Sequence, residues 1–233
     1  MNYFQRFEKK FFIDFSQEKK IKKKFLNIFD LEFNRGYYCY SIYFDDLNFS
    51  SLRQKQEGNT ERHKLRLRAY FSDSTDKVTL WNLEIKTKNN NIVKKRKISF
   101  SNEEVMYNLK IRNYSFFSNN FVETAKSYYK PAYITLYFRE AFNSKVVPQC
   151  RITYDKNVRC FKYQYDILGD ITTNQSYILN PKVILLELKY SNFLPKFISN
   201  FFAYLNLDQV TFSKYVDGYE KFNSNPFNNT KHG

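Results

Sequence analysis

Glycine is scarce, 5 in 233 residues, and no stretch rich in glycine, proline or serine interrupts the chain. Without such a linker, and without an internal repeat, one domain is expected over residues 1–222. The segment NSNPFNNTKHG, 223–233, reads as a disordered tail. The three cysteines, Cys39, Cys150 and Cys160, are odd in number and lack Cys-x-x-Cys spacing. That argues against a disulfide framework and against a zinc site. No apolar run approaches the ~18–20 residues of a transmembrane helix. The opening MNYFQRFEKK is polar and does not read as a signal peptide. A cytoplasmic protein is expected.

What the chain has in excess is cations and aromatic rings. Lys and Arg number 38 against 23 Asp and Glu, a net charge of +15, with 20 Tyr and 25 Phe. The charge points to polyanionic partners: nucleic acid, an anionic membrane or phosphorylated small molecules. A merely solvated lysine-rich surface is the plainer alternative.

Alternation with period two recurs along the sequence and predicts about eight strands. They are RFEKKFFID (6–14), YSIYFDD (40–46), RHKLRLRAY (62–70), TLWNLEIKTK (79–88), IVKKRKISF (92–100), AYITLYFRE (132–140), CRITYD (150–155) and VILLELKYS (183–191). Helices are expected over 16–30, over 101–110 behind a Ser101/Glu104 capping box, over 194–206 after Pro195, and over 213–222.

The charged faces of these strands are the unusual part. In 62–70, Lys64, Arg66 and Arg68 fall on one face, and His63, Leu65, Leu67 and Ala69 on the other. Neighbours on one strand face are roughly 6.5–7 Å apart. Several such strands side by side in water would repel with no return. Closed into a barrel of ~8 strands they would line a lumen wide enough for a small ligand. A lumen of buried, unpaired cations is prohibitive without an anion of high charge density. A chain of phosphates, with a metal at the few carboxylates, suits that need.

Nine motifs then occur in order between residues 3 and 222: RFEKKF, SIYFDD, HKLRLRAY, LEIKTK, VKKRKISF, KPAYITLYFREAF, CRITYD, ILLELKY and FSKYVDGYE. In this set the chain resembles the polyphosphate polymerase domain of the vacuolar transporter chaperone (VTC) family, within the triphosphate tunnel, or CYTH-like, superfamily. The resemblance implies an α+β fold: an antiparallel closed β-barrel with flanking helices and a C-terminal helix. It implies a lumen that binds a triphosphate together with a divalent metal, Mn2+ or Mg2+. Carried over by position, Lys64, Arg66 and Arg68 resemble the phosphate clamp, and Lys86 is a similar lumen lysine, with Lys94 or Arg96 as another. Arg139 and Arg151 match arginines of later strands, Glu187 the metal-binding glutamate, and Ser213 and Lys214 a pair near the tunnel mouth. The first strand departs from the hydrolase-like pattern: Arg6 precedes Glu8 and Lys10 where many CYTH proteins carry another glutamate. The sparser carboxylates resemble the polymerase branch. Transport would need a separate membrane subunit.

Phosphoryl transfer rests on positioning and charge compensation. Arg66, Arg68, Arg139 and Arg151 suit it as planar bidentate cations, with Lys10, Lys64, Lys86, Lys189 and Lys214 as point charges. Glu187, set in the apolar frame VILLELKY, is a metal ligand or a salt-bridge partner. Glu8 and Glu84 are further ligands or counter-charges. Asp45 either orients a lumen cation or caps the following turn. Tyr43 and Tyr137 bond phosphate or pack. The expected function is metal-dependent transfer of the terminal phosphate of ATP to a growing polyphosphate chain. A tunnel triphosphatase is the first rival and a non-catalytic polyanion or nucleic-acid binder the second. Nucleic acid is not the expected partner, since no RNA-recognition or helix-turn-helix signature is present.

Overall fold

The computed structural model describes residues 6–32, 35–72, 78–90, 92–119, 128–163 and 175–223. The expected tail lies outside these residues, except that Asn223 ends the last helix. Ten strands and six helices follow one another as β1 (Arg6–Ile13), α1 (Phe15–Phe25), β2 (Phe29–Leu31), β3 (Tyr37–Asp45), α2 (Ser50–Gln56), β4 (Glu61–Phe71), β5 (Leu80–Asn89), β6 (Ile92–Ser101), α3 (Asn102–Lys110), α4 (Ser115–Ser118), β7 (Lys130–Ser144), β8 (Arg151–Lys162), β9 (Ser176–Tyr177), β10 (Ile184–Ser191), α5 (Lys196–Tyr204) and α6 (Lys214–Asn223). The hydrogen-bonded order is β1-β10-β8-β7-β3-β4-β5-β6, with β2 on β7 and β9 on β8. The fold is therefore α+β and dominated by an antiparallel sheet. Strand hydrogen bonds among the described residues do not join β1 to β6, so the expected closure into a barrel is not made by the ladder.

The chain divides into two compact units. The first holds Met1–Tyr38, Tyr137–Val158 and Leu179–Phe212; the second holds Cys39–Leu136, Arg159–Ile178 and Ser213–Gly233.

In the first unit, alternation sorts β1, β10 and β8 into an apolar and a polar face. Phe11 and Ile13, Leu186 and Leu188, and Ile152 and Tyr154 join Ile21 and Phe25 of α1 and Ile198 and Phe202 of α5 in one buried core. α1 begins at Asp14, whose carboxylate accepts from the Gln17 N–H while the Gln17 side chain returns to the Asp14 N–H. Its buried Glu18 and half-buried Lys22 form a closed ionic ring with Glu140 and Lys156, with N···O distances of 2.6–2.8 Å. That ring fastens the helix to β7 and β8. The helix stops at Phe25, short of the expected residue 30, because Phe29–Leu31 pair with Phe142–Ser144 of β7. Gly36 leads into β3 at φ +75°, and a Cβ there would lie 2.7 Å from the Arg139 carbonyl oxygen. Only glycine tolerates both the conformation and the approach.

In the second unit, β4, β5 and β6 pair antiparallel in register, with Leu65 opposite Ile85 and Leu67 opposite Leu83. α3 forms with its expected capping box: Ser101 Oγ accepts from Glu104 N and Glu104 Oε2 from Ser101 N. Tyr43, Leu52, Tyr133 and Tyr215 make a smaller buried cluster.

Candidate functional site

Each unit presents one polar strand face, and the ladder registers define which residues share it. In the second unit, Arg62, Lys64, Arg66 and Arg68 of β4 stand opposite Lys88, Lys86, Glu84 and Asn82 of β5. Lys86, Glu84 and Asn82 stand in turn opposite Lys95, Lys97 and Ser99 of β6. Directly opposed residues point to the same side. Eight cations, Arg62, Lys64, Arg66, Arg68, Lys86, Lys88, Lys95 and Lys97, therefore share a face with one carboxylate, Glu84. Of the β6 residues expected from the sequence, Lys94 and Arg96 stand opposite Thr87 and Ile85, on the other side. Lys95 and Lys97 replace them on the cationic face. The run VKKRK does not alternate, so its phase is set only by pairing with β5.

Glu84 holds Arg66 through Nε at 2.8 Å and Nη2 at 2.5 Å. Burial alone would raise its carboxyl; Arg66 and Arg68 hold it below the usual carboxylate range. Arg68 is buried and donates from Nε to Ser41 Oγ at 2.9 Å. Lys64 Nζ lies 4.6 Å from the centre of the Tyr43 ring. Lys214, the first residue of α6, is buried. The Ser213 N–H donates to Asp217 at the start of the same helix. Asp45 caps α2: Oδ1 accepts from Asp46 N and Ser51 N, and Oδ2 from Leu52 N and from Tyr215 OH at 2.6 Å. Of its two sequence readings, the cap is the one formed.

In the first unit, Glu8 and Lys10 of β1 stand opposite Lys189 and Glu187 of β10, and Glu187 and Lys189 stand opposite Thr153 and Arg151 of β8. Arg139, 7% exposed, grips the fully buried Asp155 through Nε at 2.6 Å and Nη2 at 2.7 Å. The same Nη2 lies 3.6 Å from Glu187, which takes Lys189 Nζ at 2.8 Å. Burial opposes the Arg139 charge, and Asp155 more than restores it, so the guanidinium stays protonated throughout. Lys10 Nζ donates to the Phe212 carbonyl at 2.7 Å and pairs with Glu8 at 3.3 Å. Arg151 pairs with Glu32 and donates to Tyr37 OH at 3.2 Å. Asp155 was not singled out among the candidate site residues. Its signal was present, since it shares a strand face with Arg151 and Thr153 in CRITYD.

Could these residues hold a divalent cation? Among the described residues no group of three histidine, cysteine or carboxylate side chains converges. Glu8 and Glu187 are nonetheless close enough to act on each other: burial and Glu187 raise the Glu8 carboxyl, and Lys189 and Lys10 outweigh both, leaving it ionised. The Thr153 hydroxyl opposite Glu187 is buried and has no hydrogen-bond partner. Two carboxylates and a hydroxyl are hard oxygen donors, which suits Mn2+ or Mg2+ with phosphate oxygens completing the shell.

The model of the VTC domain matches residues 5–223. The chain belongs to the VTC family. The match spans both units of the VTC domain and every strand described above. No curated protein matches it. Among solved structures, the VTC chain is similar to the X-ray structure of a "putative adenylate cyclase" from Vibrio parahaemolyticus, with a TM-score of 0.50 and 12% identity, covering 96% of this chain and 99% of that one. At that identity the likeness concerns the fold, and it agrees with a tunnel-type sheet. Among the described residues of the VTC domain, no helix is long and apolar enough to cross a membrane.

Proposed function

We propose that this VTC domain is a metal-dependent polyphosphate polymerase, which transfers the terminal phosphate of ATP to a growing polyphosphate chain. Family membership supports a triphosphate-binding enzyme of the tunnel type. The observation that carries the reading further is the cationic face of β4–β6, eight cations to one carboxylate. A surface of that composition is stable only with an anion of matching charge density.

Arg66 and Arg68 would bind phosphate oxygens, with Lys64 and Lys86 compensating the charge that spreads during transfer. Arg139 is pre-set by Asp155, so its orientation costs nothing at the moment of reaction. Arg151, Lys10, Lys189, Ser213 and Lys214 are further phosphate contacts. Glu187 with Glu8 would hold the divalent cation, which on binding screens the phosphate charges. Glu84, engaged by Arg66, acts as a counter-charge and keeps that guanidinium aimed. The acceptor phosphate is the nucleophile, so the chain need supply none.

The test is incubation of purified protein with ATP and Mn2+, with and without a short polyphosphate primer. Products are separated on a gel and free phosphate is assayed. Polymer with ADP, lost in Arg66→Ala and in Glu187→Ala, is expected. Free phosphate without polymer would replace the polymerase by a triphosphatase. Neither product, with triphosphate binding intact, would make the domain a receptor.

A further inference from the structure

Tyr43 lies under the cationic face and is 1% exposed. Its ring stacks on Tyr215 of α6 at 4.9 Å and 27°. From β4, Lys64 Nζ stands 4.6 Å from the ring centre and the Arg66 guanidinium carbon 5.9 Å. Arg66 Nη1 reaches the Tyr43 hydroxyl oxygen at 3.4 Å. Arg68 is the third cation acting on it. From β5 the facing charge is Glu84, held by Arg66. On its own strand, Asp45 is occupied by the α2 backbone and by Tyr215 OH. From β7, Tyr133 packs in the same cluster. Lysine and arginine donate and never accept. The groups of β4 around the Tyr43 oxygen therefore call for an acceptor, and a phenolate is a better one than a phenol.

We propose that Tyr43 is the resident anion of this face, a phenolate when the face carries no ligand, and that it becomes a phenol when a triphosphate takes over its cations. The inference rests on the triphosphate reading above and deepens it. The step is a proton transfer: solvent supplies the proton, the O–H bond forms, and a phosphate oxygen is then able to accept from it. Burial opposes the phenolate, yet Lys64, Arg66 and Arg68 bring the Tyr43 hydroxyl down to about 6. Buried tyrosines without such a ring behave oppositely: Tyr40, Tyr154 and Tyr215 are all pushed up. Phosphate compensates the same cations, so Tyr43 returns toward the ordinary tyrosine value on binding. Triphosphate binding then takes up about one proton at neutral pH. Affinity relative to Tyr43→Phe falls by up to ~10-fold per pH unit above about pH 6. Taking the ratio to the variant removes the titration of the ligand's own terminal phosphate.

The test is tyrosinate absorbance of the intact protein between about pH 5 and 9, where ordinary tyrosines stay protonated. One tyrosine should ionise near pH 6 in the free protein, and inorganic triphosphate added without divalent metal at pH 8 should abolish the signal. Calorimetry of the same titration in two buffers of different ionisation heat reads the proton uptake, which Tyr43→Phe should lose. Should that variant fail to fold, the wild-type absorbance and calorimetry still decide. No tyrosinate below pH 9 would overturn the proposal while triphosphate binding remained. Tyrosinate in a protein that binds no triphosphate would overturn the triphosphate reading and the exchange with it. Tyrosinate that persists in the triphosphate complex would overturn the exchange alone.

Discussion

Asp155→Ala would remove the sole carboxylate that grips the buried Arg139 with two short bonds. Asp155 is 0% and Arg139 7% exposed, so water cannot replace the lost partner. Breaking a buried pair from one side costs about 3–5 kcal/mol, because the other charge is left uncompensated. Glu187 at 3.6 Å gives partial relief, which favours the lower end. For a chain of this size each kcal/mol lowers the melting temperature by about 2–4 °C, so a fall of about 6–20 °C is expected. The assay is thermal unfolding followed by circular dichroism, with and without inorganic triphosphate. A phosphate anion near Arg139 restores a partner, so triphosphate should raise the melting temperature of Asp155→Ala more than that of the wild type. The double variant Arg139→Met/Asp155→Leu removes both charges; it should recover most of the stability and lose the enhanced response to triphosphate. A melting temperature within ~1 °C of wild type in Asp155→Ala would refute the reasoning, since a buried guanidinium would then be tolerated without its carboxylate.

Three further outcomes follow from named contacts. Lys97→Glu should weaken triphosphate binding, measured by calorimetry, several-fold more than Arg96→Glu, because only Lys97 shares the face of Arg66; equal effects would contradict the β5–β6 register. Asp45→Asn should lower stability by about 1–2 kcal/mol in denaturant unfolding, the usual scale of a lost helix cap, with the Tyr215 contact weakened as well. The Glu84 carboxyl lies below its ordinary value of 4.5 when folded, so its pairing stabilises above that pH and is lost as pH falls through the folded value. Unfolding measured below about pH 4.5 should therefore be less pH-dependent in Glu84→Gln than in wild type.

The strands were legible because alternation survives wherever one face is buried. Lys64, Arg66 and Arg68 could be placed on one face from HKLRLRAY alone, and the ladder puts them there. The same signal fails in IVKKRKISF, where cations occupy both phases and only hydrogen bonding to β5 sets the side. β2 and β9, of three and two residues, are too short to show a period. The helix expected over 16–30 ran too far because Ile28 and Phe29 keep helical spacing although Phe29 pairs with β7. α2 went unread because Asp45, five residues upstream of the helix, caps it from the end of β3. The choice for Glu187 between metal ligand and ion-pair partner was open in the sequence. The structure adds Arg139, Lys189 and the unpartnered Thr153 hydroxyl around it.

The most direct test of the central claim is a metal-free calorimetric titration of the intact chain with inorganic triphosphate, repeated with Arg66→Ala and Arg139→Ala. The account predicts saturable binding that is at least ~10-fold weaker in each variant, the scale of losing one charge-assisted contact. Absence of binding, or binding that neither variant weakens, would contradict it.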